Sequence, residues 1–167
     1  MSKLRRFAIV FTLLAALLMV QSASAAVTLG NGGFESGPAS YWSWSSSVNG
    51  YNPIIDGGFP RTGTWYAYFG GCGGCGEVGK ISQTIKMPKN GTVTLRFYMW
   101  TGSHDAAGSD KFSVKFGGDT VFKVAETDST YWAGYTLVEI DLSAYTDGGF
   151  HALVFKGTDK SGAHTAF

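Results

Sequence analysis

The sequence predicts an all-β domain, an antiparallel β-sandwich of the jelly-roll kind. Three observations predict it. Of 167 residues, 24 are Gly, all beyond the first 25 positions, and 12 Phe, 8 Tyr and 5 Trp accompany them. Glycine supplies tight turns and aromatics favour strands, so this mixture fits many short strands and not a helical bundle. Apolar residues alternate with polar ones in runs of five to nine, the period of a half-buried strand. Turn residues (Gly, Asn, Asp, Pro) punctuate those runs at intervals suited to a sandwich.

The runs follow in order. Strands are expected near 42–46, 64–69, 79–86, 92–100, 111–116, 120–124, 135–142 and 150–156. The clearest is Thr92–Trp100. It would turn Val93, Leu95, Phe97 and Met99 to the core, and Thr94, Arg96, Tyr98 and Trp100 to the other side. The next run repeats the pattern, with Phe112, Val114 and Phe116 inward. Gly117-Gly118-Asp119 reads as a hairpin turn, Pro88-Lys89-Asn90-Gly91 and Asp147-Gly148-Gly149 as further turns, and Ser143–Tyr145 as a short helical turn.

Residues 1–25 read as a secretory signal peptide and 26–167 as the single mature domain. Lys3, Arg5 and Arg6 precede an apolar run from Phe7 to Val20, and Ala23-Ser24-Ala25 forms the cleavage signal. The run is about 14 residues, short of the roughly 20 that span a bilayer. The protein is therefore expected to be secreted, with no membrane span. Removing the leader leaves ten basic residues against 12 acidic ones, a net charge of −2. That balance argues against nucleic acid as a partner and against a polybasic membrane stripe.

Cys72 and Cys75 stand as one C-x-x-C inside a glycine-rich loop. An oxidising destination permits a local disulfide between them. A redox motif lacks the surrounding βαβ pattern, and zinc lacks further ligands. Three histidines (His104, His151 and His164) occur without a G-x-S-x-G elbow or an H-E-x-x-H motif. No catalytic residues are expected.

Several segments resemble galactose-binding-like jelly rolls, a group that includes carbohydrate-binding modules and accessory domains of secreted hydrolases and peptidases. Asn31-Gly32-Gly33-Phe34-Glu35-Ser36-Gly37 followed by Trp42 resembles their opening. Gly63 to Gly71 resembles the strand that ends in a Gly-rich loop, and Ile81-Ser82-Gln83-Thr84-Ile85 with Pro88 a later one. Asp110 to Val114, Trp132 and Asp141-Leu142-Ser143 continue in family order. The resemblance implies Trp42 and Trp132 in the core. It also implies a structural Ca²⁺ with Glu35 as one ligand, joined by backbone carbonyls and a C-terminal aspartate that this sequence does not show. The last strand begins and breaks off, so the domain is expected to be a fragment of a larger secreted protein.

The expected function is non-catalytic carbohydrate binding that tethers a linked protein or enzyme to a glycan. Aromatic rings offer stacking area to apolar sugar faces, and charged groups offer directed hydrogen bonds. Arg96, Tyr98 and Trp100 alternate on the outward side of one strand, and Tyr135 and Glu139 are placed on the same sheet face. The side taken by Trp65, Tyr66 and Tyr68 stays open. The alternative is a structural accessory domain of a secreted peptidase or cell-surface protein, with no sugar ligand.

Overall fold

The computed structural model describes residues 27–70, 76–104, 108–160 and 165–167. The leader, the Cys72–Cys75 pair, Asp105 and His164 lie outside these residues. Among the described residues the chain forms β1 (Ser43–Ser46), β2 (Ile54–Asp56), β3 (Trp65–Ala67), β4 (Glu77–Lys86), β5 (Thr94–Met99), β6 (Lys111–Phe116), β7 (Asp119–Ala125), β8 (Thr136–Asp141) and β9 (Phe150–Asp159). Every pairing is antiparallel. Two short 3₁₀ turns, Ser129–Tyr131 and Ser143–Tyr145, are the helical elements.

One layer is a five-stranded sheet in the order β1-β4-β9-β6-β7. The opposite layer consists of two separate pairs, β2-β3 and β5-β8. Alternation does the sorting. Ile81 and Ile85 of β4, Phe112, Val114 and Phe116 of β6, and Leu153 and Phe155 of β9 are buried on the inner face. Across the interlayer space, Phe97 of β5 meets Phe155 at 5.3 Å and Phe122 at 5.8 Å between ring centroids, both edge to face. Phe69, just after β3, meets Phe112 at 5.8 Å. Tilted and edge-on rings bury large area and align opposite charges of their quadrupoles. The β6–β7 hairpin turns on Gly117 and Gly118, both at positive φ (60° and 100°). That conformation matches the twist of the flanking strands and favours glycine.

Most expected strands are present within one or two residues. β9 runs three residues further than expected, and β2 was not expected, since its three residues are too few for a period to show. Its partner β3 is also short, at three residues.

The two pairs of the second layer do not touch through strand bonds; a gap lies between β3 and β5. Thr165–Phe167 enter it. Phe167 and Phe69 exchange two backbone hydrogen bonds, each 3.0 Å. On the other side Ala166 N–H donates to Ser103 O at 3.1 Å, and Gly102 N–H to Ala166 O at 3.0 Å. Three residues thus bond to both edges, as an inserted strand would.

A buried carboxyl pair anchors this segment. Asp110, before β6, and Glu126, after β7, are fully buried. Thr165 Oγ1 donates to Glu126 Oε2 at 2.7 Å, and Lys160 N–H to Asp110 Oδ1 at 2.8 Å. Burial pushes the Glu126 carboxyl up. Burial also acts on Asp110, but hydrogen bonds from Lys160, Thr165, Glu126 and Ser109 outweigh it and hold that carboxyl down. The pair therefore favours sharing one proton. Glu126, raised in the fold, contributes stability that is complete below its unfolded pKa and lost as pH rises through the raised value. Asp110, lowered, contributes stability that is lost as pH falls through the lowered value. Their joint contribution should peak around ordinary carboxylate values. In Glu126→Gln the alkaline-side loss should disappear from a plot of Tm against pH; a profile unchanged by the substitution would refute the shared proton.

Candidate functional site

The gap between the two halves of the second layer opens into a cleft of about 560 Å³. Its lining shows how it forms. Leu95, Phe97 and Met99 from the inner side of β5 line it, and so do Arg96, Tyr98 and Trp100 from the outer side. Trp65, Ala67 and Phe69 line it together with Tyr66 and Tyr68. Successive residues of a strand point to opposite faces, so one cavity reaches both sets only where the sheet is interrupted. The deep part is apolar and meets Phe112, Phe155 and Phe167; the outer part is aromatic and polar.

The outer part is built from three segments. On β5, Tyr98 is 43% exposed, and the Arg61 guanidinium lies over its ring, 3.5 Å from the centroid. Trp100 follows the strand end. Its indole N–H donates to Trp132 O at 3.1 Å, which fixes the ring plane. Phe59 packs on one side of Trp100 (6.0 Å, edge-on) and Tyr135 on another (5.8 Å, tilted). Tyr135 Oη donates to Phe59 O at 2.6 Å, joining the 57–64 loop to the β8 entry. Tyr66 and Tyr68 meet edge to face at 6.0 Å on the opposite wall. Burial raises the phenols of Tyr66, Tyr68 and Tyr135, with nearby Tyr66 adding to Tyr135. All three stay protonated donors at neutral pH.

The predicted residues divide. Arg96, Tyr98, Trp100 and Tyr135 come together on the cleft. Glu139 lies directly opposite Arg96 in the β5–β8 register and bonds it at 2.6 Å between Nε and Oε1. Glu139 does not line the cleft; it holds the guanidinium that does. Both side chains are about half exposed or more, so the pair adds orientation and little stability. Tyr66 and Tyr68 take the outer side, resolving the side left open by alternation. Phe59 and Arg61 had no strand pattern to mark them. The only sequence signal is the loop itself, Gly57 to Gly63, carrying a lone aromatic and a lone arginine.

Two other expectations have specific outcomes. Trp42 is buried, 5% exposed, against Phe34 and Phe155. Trp132 is not a core residue. It is 38% exposed and lies flat on the His104 ring, 3.8 Å between centroids. The 3₁₀ turn ahead of it throws the side chain outward, and its indole N–H donates to Glu126 O at 2.8 Å.

Glu35 is engaged by backbone amides of the β3 entry. Its carboxylate accepts from Thr64 N–H and Trp65 N–H, all at 3.1 Å. Among the described residues no group of three or more His, Cys, Asp or Glu side chains is placed to hold a metal. As placed, Glu35 clamps the opening loop to the start of β3. Gly63, at φ 72°, makes this possible, since a β-carbon there would strike the Glu35 carboxylate.

No carboxylate, histidine or cysteine occurs among the described residues that line the cleft. Its chemistry is stacking and hydrogen-bond donation from phenols and two guanidinium groups. No protein-family model and no curated protein matches the chain. Among solved structures, the chain is similar to TmCBM61 in complex with β-1,4-galactotriose. The TM-score is 0.62 at 17% sequence identity, over 85% of this chain and 92% of that one. The shared feature is the fold, an antiparallel β-sandwich.

Proposed function

We propose that the protein is an exported, non-catalytic module that binds a neutral glycan in the aromatic cleft. The observation that carries this reading is the cleft's outer lining. Tyr66, Tyr68, Tyr98, Trp100 and Tyr135 surround a space large enough for a short oligosaccharide, with Arg61 and Arg96 between them. Flat rings match the C–H faces of a pyranose, and phenols and guanidinium groups match its hydroxyl rim. Among the described residues the lining offers no Asp, Glu or His side chain, in keeping with a site that holds its ligand. The neighbouring fold, seen with a galactotriose, supports the ligand class. Such a module raises the local concentration of whatever it is joined to on the glycan.

The test is titration with soluble glycans, β-1,4-galacto-oligosaccharides among them, followed by tryptophan fluorescence. Trp100 sits in the cleft wall, so a bound sugar should change the emission saturably. Repeating the titration with a chelator tests whether the calcium expected at Glu35 supports the site. A folded domain that shows no response to any glycan class would favour the structural accessory role.

A further inference from the structure

The net charge of −2 expected once residues 1–25 are removed conceals a segregated surface. The outward positions of the five-stranded sheet carry Lys80 and Lys86 on β4, Lys156 on β9, Lys111 and Lys115 on β6, and Lys123 on β7. Their facing follows from strand parity, since Ile81, Ile85, Phe112, Val114, Val124, Leu153 and Phe155 take the buried side. Six of the ten basic residues beyond position 25 thus share one face. None of the outward positions on these strands is Asp or Glu. Among the described residues none of the six lysines joins an ion pair.

The arrangement is unfavourable on its own. Lys80 and Lys156 are direct cross-strand partners, about 5 Å apart at the backbone. Like charges directly opposite destabilise a sheet. Lys156 is in turn opposite Ser113, and Ser113 opposite Lys123. One row across the sheet therefore reads Lys, Lys, Ser, Lys, with Lys111 and Lys115 flanking it on β6. A bound polyanion removes the repulsion that the free protein carries.

We propose that this face is a second binding surface, for a carboxylated polysaccharide. Serine and threonine hydroxyls (Ser82, Thr84, Ser113, Thr158) lie between the lysines, where sugar hydroxyls need partners. Nucleic acid is the weaker match. Single strands are held by aromatic platforms and duplexes by elements that enter a groove, and the Lys80–Lys156–Lys123 row has neither. The surface is separate from the cleft, which lies across the core, and the inference stands independently of the cleft's ligand.

The experiment is affinity electrophoresis through gels containing polygalacturonate or its fully methyl-esterified form, with double-stranded DNA as a competitor. Polygalacturonate should retard the protein, high salt should release it, and the neutral ester should have no effect. The variant Lys80→Gln/Lys123→Gln/Lys156→Gln should lose at least tenfold in retardation. Its melting temperature should not fall, because a like-charge pair is removed. Neutral-glycan binding in the cleft should be unchanged. Equal retardation by the ester, an unaffected triple variant, or DNA displacing polygalacturonate at lower charge concentration would each overturn the proposal.

Discussion

Replacing Trp100 with alanine should weaken glycan binding by at least ~30-fold while the domain still melts cooperatively. Truncating an aromatic at the centre of a binding surface costs about 2 kcal/mol or more, and each 1.4 kcal/mol is tenfold. Trp100 qualifies because its plane is fixed by the bond to Trp132 O and its flanks are set by Phe59 and Tyr135. It is therefore pre-organised for stacking and loses little freedom when a sugar arrives. Tyr98→Ala should act differently. One face of that ring is occupied by Arg61, so the substitution removes the platform of a hydrogen-bond donor. The predicted loss is smaller, roughly 1 kcal/mol, as for an exposed cation–π contact. Isothermal titration of wild type and both variants against the same oligosaccharide measures the difference. Equal, small effects would mean the ligand sits elsewhere.

The second large effect concerns the gap. Five residues joined to Phe167 with polar and apolar positions alternating should raise the melting temperature, provided the phase is right. Phe167 lies directly opposite Phe69 and faces the core. Continuing antiparallel to β3, the second added residue would face Ala67 and the fourth Trp65, both of which pack against the core. Ser-Val-Ser-Val-Ser thus places both valines inside. Val-Ser-Val-Ser-Val, shifted by one, turns its valines to solvent and its serines inward. Each buried valine contributes roughly 1.5–3 kcal/mol, and a rise of ~5 °C or more is expected for a domain of this size. Differential scanning calorimetry distinguishes the two extensions. Indistinguishable melting would show that the gap does not accept a strand in this register. The added strand would occupy the gap into which the cleft opens, so glycan binding there should weaken.

What the sequence revealed and what it hid have physical causes. Long strands announced themselves through alternation: β5, β6 and β9 lie close to where the period put them, with the expected faces inward. Trp42 was placed in the core through the resemblance of the opening motif, and it packs there against Phe34 and Phe155. Trp132 was not, because a 3₁₀ turn carries no alternation to fix its direction. Half of the cleft wall was visible as the outward stripe Arg96-Tyr98-Trp100. The other half depends on how β3 and the 57–64 loop dock across the gap, a long-range arrangement with no local period. The lysine face was hidden by summation. Net charge counts residues, whereas a surface depends on strand parity and register, which bring Lys80, Lys156 and Lys123 into one row.

The most direct test of the central claim, that a glycan is held in the cleft between the two halves of the second layer, is NMR titration of the tryptophan indole N–H signals. Trp100 lines the cleft, whereas Trp44 lies exposed on β1 of the five-stranded sheet. Saturable movement of the Trp100 signal with the Trp44 signal stationary is the predicted result. Movement of Trp44 with Trp100 unaffected would contradict the account and place the ligand on the opposite sheet.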